Sequence, residues 1–511
     1  MSLRILLLTT ALCLSLPATA DIVVTNVRLV DGTGTAASAG ELRIAGGLIA
    51  AVGPRVPREA GDEIVDGGGQ VLAPGFIDSH SHLDRTMFAT PDVPGAVNQG
   101  VTTIIIGQDG YSELPTADLN ARLAASPVAV NVGTYSGHND LRRRVMGDRR
   151  DLAGDGQLLA MENLLDADMR AGSMGLSTGL IYVPGVFSDT REVLALARVA
   201  AAHGGRYISH IRNEADQIEA AVEEFLLVGR TTGMPVKLSH IKIAIKSKWG
   251  QAPAILARLD QARAEGMDVT ADIYPYIYWQ TTMAALFPDK NFNDPTGVAR
   301  NFRETTPPDT LILTTFLADP SLVGKSITQI AASRGQDPVK TYLDLMAQAA
   351  IYQMQHPDQE PVERIVGFSM SEQDLTTFLN WPHTNICSDG FDGGHPRGYA
   401  TFTRILGHYV REKHVLGLEQ AVHRMTGLTA AHLGIIDRGL LRPGMAADLV
   451  LFDPDTVADR ASLTDSKALS AGITRVWVNG VPVYEGQRTL GVHPGRFLPA
   501  APHAPWVPKR R

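Results

Sequence analysis

The stretch "PGFIDSHSHLD", Pro74 to Asp84, decides how this chain reads. An apolar run ends in two histidines one residue apart. Side chains alternate faces along a strand, so His80 and His82 point the same way. Two imidazoles side by side at a strand end make a poor core element and a good half of a metal site.

Other apolar runs end in similar chemistry. "VTTIIIG" leads into Asp109, "GRYISHI" carries His210, "MPVKLSHI" carries His240 and "TNICSDG" carries Asp389. Together with "VLAPGFIDSH", "PVAVNVGTYSG", "GSMGLST" and "MDVTADIYPY" they give eight strand candidates, with helical stretches such as "TREVLALARVAAAHGG" between several of them. Strands alternating with helices indicate parallel βα units, and eight such units predict an α/β fold, a (β/α)8 TIM-like barrel. All the polar strand ends would then meet at one rim. There His80, His82, Asp109, His210, His240 and Asp389 form a candidate site for one or two Zn2+ ions. A metal lowers the pKa of water to about 7, and a carboxylate not fully engaged, Asp389, can serve as general base.

Each residue also has a plainer reading. Asp109 in "GQDG" fits a tight turn. Asp272 reads as a buried hydrogen-bond partner, Tyr274 and Tyr276 as packing residues, and Cys387 as a small buried hydrophobe. His203, His356, His383 and His423 read as helix, loop or surface residues.

The two ends of the chain differ from the middle. Residues 21–72 and 440–511 carry short strands punctuated by Gly and Asp, including the hairpin signal Asn479-Gly480. They predict a small β-sandwich built from both termini around a barrel at 73–439. Turn-rich sequence at about 287–362 predicts an insertion, a lid over the barrel mouth. Residues 1–20 have a basic start, an apolar run and a small-residue Ala18-Thr19-Ala20 end, the layout of a secretory signal peptide. That layout predicts export to the periplasm, or secretion, with no stable membrane span after cleavage. Removal of Cys13 would leave Cys387 alone, so no internal disulfide is expected. A net charge of −8 and the lack of a basic stripe argue against nucleic acid.

On these residues the sequence resembles the D-aminoacylase or N-acyl-D-amino-acid deacylase group of the amidohydrolase superfamily. The resemblance rests on "APGFIDSHSH", "QGVTTIIIG", "GTYSGHNDLRRRVMG", "GSMGLSTGLIYVPG", "ISHIRNE", "LSHIK", "SDG…HPRGYATFTRIL" and "LRPGMAADLVLFDP". It implies a distorted barrel with a β-sandwich, zinc, and hydrolysis of an N-acyl group from a D-amino acid. It also implies that Tyr182, Arg397 and Tyr399 face the substrate carboxylate, with Lys242 and His395 as further candidates; a bidentate arginine suits that group. Two departures stand out. Asp109 occupies the place of a cysteine metal ligand, which implies weaker zinc or a different metal preference. Leu83 stands where an acidic residue is common. The alternatives are a dipeptidase or other C–N hydrolase, a periplasmic solute-binding protein that kept the scaffold, and a cell-envelope interaction protein.

Overall fold

The computed structural model describes residues 21–287, 291–359 and 361–501. The predicted signal peptide at 1–20 lies outside the described residues.

All eight expected barrel strands form. In chain order they are Phe76–Asp78, Val101–Ile106, Asn131–Thr134 continuing as Ser136–Gly137, Gly175–Gly179, Arg206–His210, Val236–Leu238, Val269–Ile273 and Thr384–Ile386. Successive strands pair in parallel. The ring closes where Asp389 N–H donates to the His80 carbonyl at 2.8 Å and His82 N–H donates to the Gly390 carbonyl at 3.0 Å. The strands are covered on both faces, which is why they read as continuous apolar runs. Helices pack outside. Thr190–Ala202 shows the reason: Val193, Leu196, Ala197 and Ala200 fall on one face at helical spacing and are buried. Asp189 caps that helix by accepting from Glu192 N–H.

The two ends of the chain share one nine-stranded sheet. Its order runs Arg488–Thr489, Val481–Glu485, Ile473–Val478, Leu449–Phe452, Val71–Pro74, Ile22–Leu29, Ser38–Ala45 and Leu48–Gly53, with Glu63–Asp66 also paired to Ile22–Leu29. The sheet forks at Ile22–Leu29, and Val24, Leu42, Ile44, Leu449, Leu451 and Trp477 share a core there. The expected hairpin turn is present, with φ of 50° at Asn479 and 81° at Gly480, as a type I′ turn requires. Asp448 ties this sheet to the barrel. It accepts from Asn479 N–H, from Asn131 Nδ2 at 2.9 Å and from Arg438, all in buried surroundings.

Between the last two barrel strands the chain makes an excursion with its own antiparallel sheet: Tyr278–Thr281, Glu363–Phe368 in the centre, and Ile312–Phe316. Helices Pro295–Glu304, Ile327–Arg334 and Pro338–Gln355 pack on it through Phe302, Ile330, Tyr342 and Leu345. The sheet extends beyond the expected 287–362 at both ends. Its outer segments are apolar, so turn residues alone do not mark its limits.

Candidate metal centre and active site

The barrel rim brings together the six residues singled out as metal ligands. His82 Nε2 lies 3.2 Å from Asp389 Oδ1 and 3.3 Å from Asp109 Oδ2. His80 Nε2 lies 3.5 Å from both Asp109 and Asp389. His240 Nε2 is 3.3 Å from Asp109 Oδ1 and 3.0 Å from His210 Nδ1. Asp109, His240 and Asp389 have φ of 55°, 36° and 47°. Non-glycine residues rarely adopt that left-handed region, and strained backbone of this kind gathers at functional sites.

The donor set suits a cation. One ligand atom from each of His80, Asp109, His240 and Asp389 lies within 4.8 Å of the others, and His210, Glu214 and His240 form a second such group. Both ring nitrogens of His80, Asp109 Oδ1 and His210 Nε2 are buried without a hydrogen bond. Buried polar atoms are normally paired, so these orphans fit an imidazole-and-carboxylate zinc site. Burial alone would raise the Asp109 and Asp389 carboxyls. His80 and His240 outweigh it at Asp109, and Arg397 and His240 at Asp389, holding both well below the usual carboxylate range. Burial takes His210 down to about 4, so its ring is neutral and able to ligate.

Support comes from beneath. Asp272, expected to be a buried hydrogen-bond partner, accepts from His240 N–H at 2.5 Å and from Ser79 Oγ at 3.2 Å, and pairs with Lys237 at 2.6 Å. Cys387 Sγ approaches Asp272 Oδ1 at 3.4 Å and is fully buried, in keeping with its reading as a small core residue.

A cavity of about 430 Å3 opens over the rim. Tyr182, Lys242 and Arg397 line it. Arg397 Nη1 lies 2.7 Å from Asp389 Oδ2, and Lys242 Nζ 2.7 Å from Glu214 Oε1. His395 and Tyr399, expected at the substrate, lie behind the wall. His395 Nδ1 accepts from Arg397 N–H and its Nε2 contacts the Tyr278 carbonyl. Tyr399 donates to Asp392 at 2.6 Å. The helix Arg397–Arg404 explains the place of Tyr399, because a residue two positions after Arg397 points about 200° away around its axis.

Glu214 was not anticipated, although it stands four residues after His210 in "ISHIRNE". Lys237 was also missed; its signal is a cation inside a buried strand. The three arginines of "LRRRVMG" have different surroundings. Arg142 is buried with Glu192 and His138, Arg143 reaches the cavity mouth beside Asp140, and Arg144 donates to the Leu114 carbonyl.

Comparison with known proteins agrees with this geometry. The model of the amidohydrolase family matches residues 63–366 and 383–484. The N-acyl-D-glutamate deacylase of Alcaligenes xylosoxydans xylosoxydans is 37% identical over 503 residues, covering 94% of this chain and 96% of that protein. The D-aminoacylase of the same organism is 35% identical, covering 94% and 97%. The crystal structure of N-acyl-D-glutamate deacylase from Bordetella bronchiseptica, complexed with zinc and a phosphonate mimic of the tetrahedral intermediate, superposes with a TM-score of 0.84 at 35% identity, over 94% of this chain and all of that one. The chain belongs to the amidohydrolase family, in its D-aminoacylase and N-acyl-D-amino-acid deacylase group.

Proposed function

We propose that the protein is a zinc-dependent hydrolase that removes the acyl group from N-acyl-D-amino acids. The observation that carries this is the meeting of His80, His82, Asp109, His210, His240 and Asp389 at one rim beneath a cavity lined by Arg397. The first five of these residues, with Asp389 shared, would hold one or two zinc ions. Zinc, when bound, lowers the pKa of water to about 7 and polarises a carbonyl.

The chain's own residues do the rest. Asp389 is ionised and buried, so it accepts the proton of the attacking water and delivers it to the departing amine. One proton thus moves from water to nitrogen, and the acyl carbon gains the oxygen. Arg397 pairs with the substrate carboxylate; its Nε is buried and has no hydrogen-bond partner. Burial keeps the Tyr182 hydroxyl protonated, so it donates to the carbonyl oxygen as negative charge gathers there. The excursion Tyr278–Phe368 contributes Trp279 and Arg364 to the cavity wall.

The test is metal content measured together with activity on N-acyl-D-amino acids, N-acyl-L-amino acids and dipeptides. Turnover confined to the N-acyl-D compounds, with metal present, supports the reading. Turnover of dipeptides alone would replace it with the dipeptidase alternative. Residues 1–20 are proposed to direct export to the periplasm; N-terminal sequencing of the mature protein should begin near Asp21.

A further inference from the structure

Arg364 is the unexplained cation of this cavity. It sits on the central strand of the excursion, lines the cavity and is only 8% exposed. Among the described residues its side chain makes no ion pair and no hydrogen bond, and the charge of its chain neighbour Glu363 only partly offsets its burial. The other buried cations of the wall differ: Arg397 faces Asp389 and Lys242 faces Glu214. The Arg364 guanidinium instead rests on the Phe391 ring, 3.3 Å from its centroid. Phe391 stacks in turn on His82, with centroids 4.4 Å apart and planes 3° from parallel. The column His82–Phe391–Arg364 therefore places a buried cation, without an ion-pair partner among the described residues, one aromatic ring away from the candidate metal centre. Burial, with Arg85 and Arg397 nearby, pulls its pKa down only to about 9, so it stays charged at neutral pH.

A buried charge without a partner is costly, and such a group is retained where an incoming anion completes it. The α-carboxylate of the substrate already has Arg397. We propose that Arg364 binds a second carboxylate, so that the preferred substrates are N-acyl-D-amino acids carrying two carboxylates rather than one. This rests on the deacylase reading above. The guanidinium rests over Phe391 and lines the cavity, and its planar fork of donors suits a bidentate carboxylate. Without that anion the site would hold an unsatisfied cation, and discrimination against a neutral analogue follows.

The second carboxylate can stand on the amino-acid side chain or on the acyl group. The experiment compares N-acetyl-D-glutamate and N-acetyl-D-aspartate, N-succinyl-D-leucine, and N-acetyl-D-leucine on the metal-loaded protein. The kcat/KM for at least one dicarboxylate is expected to exceed that for N-acetyl-D-leucine by about 100-fold. The preferred dicarboxylate shows which position is read. Arg364→Met should collapse this ratio toward one, mainly through KM, and Arg364→Lys should restore part of it; thermal melting confirms that both variants fold. A purely structural clamp on Phe391 would lower all four substrates together and leave the ratio intact, which overturns the proposal. So does a wild-type protein that prefers N-acetyl-D-leucine, a result that leaves the deacylase reading standing. Failure to hydrolyse any of the four overturns both.

Discussion

Glu363 opens the roof of the cavity to a quantitative test. It is buried at the start of the central excursion strand, and both its oxygens accept from Met283 N–H at 2.9 Å. Burial pushes its carboxyl up from 4.5 to about 7. The sign follows directly. Below about pH 4 the folded and unfolded chains both keep the proton, and the group imposes no pH-dependent cost. As pH rises from 4.5, the unfolded chain ionises first, so the folded state loses stability until the folded carboxyl titrates near 7. The interval corresponds to about 3 kcal/mol at about 1.4 kcal/mol per pH unit. Glu363→Gln removes the ionisation and leaves an oxygen to accept from Met283. Between about pH 4 and about pH 8 the wild-type protein should lose up to about 3 kcal/mol more than this variant. Urea denaturation of both proteins, stripped of metal and followed at several pH values, reads the difference, and groups common to the two cancel. Parallel stability curves would refute the reasoning, because they would mean that the carboxyl titrates alike in folded and unfolded chains.

Three further outcomes are expected. Asp389→Asn should lower kcat by about 100-fold or more while metal analysis shows the centre still occupied, since His80, His82, Asp109, His210 and His240 remain. Chelation should abolish turnover and lower the melting temperature, because Asp109 and Asp389 then converge on His82 with no cation between them and the stabilisation by bound metal is lost; added zinc should restore both. Asp448→Ala removes the buried partner of Arg438, leaving it only the exposed Asp437, and removes the acceptor for Asn131 and Asn479, so denaturation should report a loss of about 3 kcal/mol.

The barrel was legible because parallel strands buried on both faces print as apolar runs, and because its ligands stand at the ends of those runs. His210 and His240 declare themselves through the repeated Ser-His-Ile, and Asn479-Gly480 through the positive φ that its turn demands. What stayed hidden depends on which way a side chain points after the chain folds. Tyr399 lies two residues from Arg397 in the same motif, yet the helix turns it to the far side. Arg364 opens "RIVGF" with no periodicity to mark it, and its role depends on Phe391, which arrives from another strand end. Asp272 could be recognised as buried, but its grip on the His240 backbone required the fold itself.

The nine-stranded sheet has an implication for how the molecule is made. Leu449–Phe452 lies between Val71–Pro74 and Ile473–Val478, so its interior is supplied by residues near the end of the chain. Until Leu449–Phe452 docks, the early strand Val71–Pro74 has an open edge, the kind of template on which unfolded chains stick to one another. That edge can be sealed only after the barrel sequence that separates the two strands is in place.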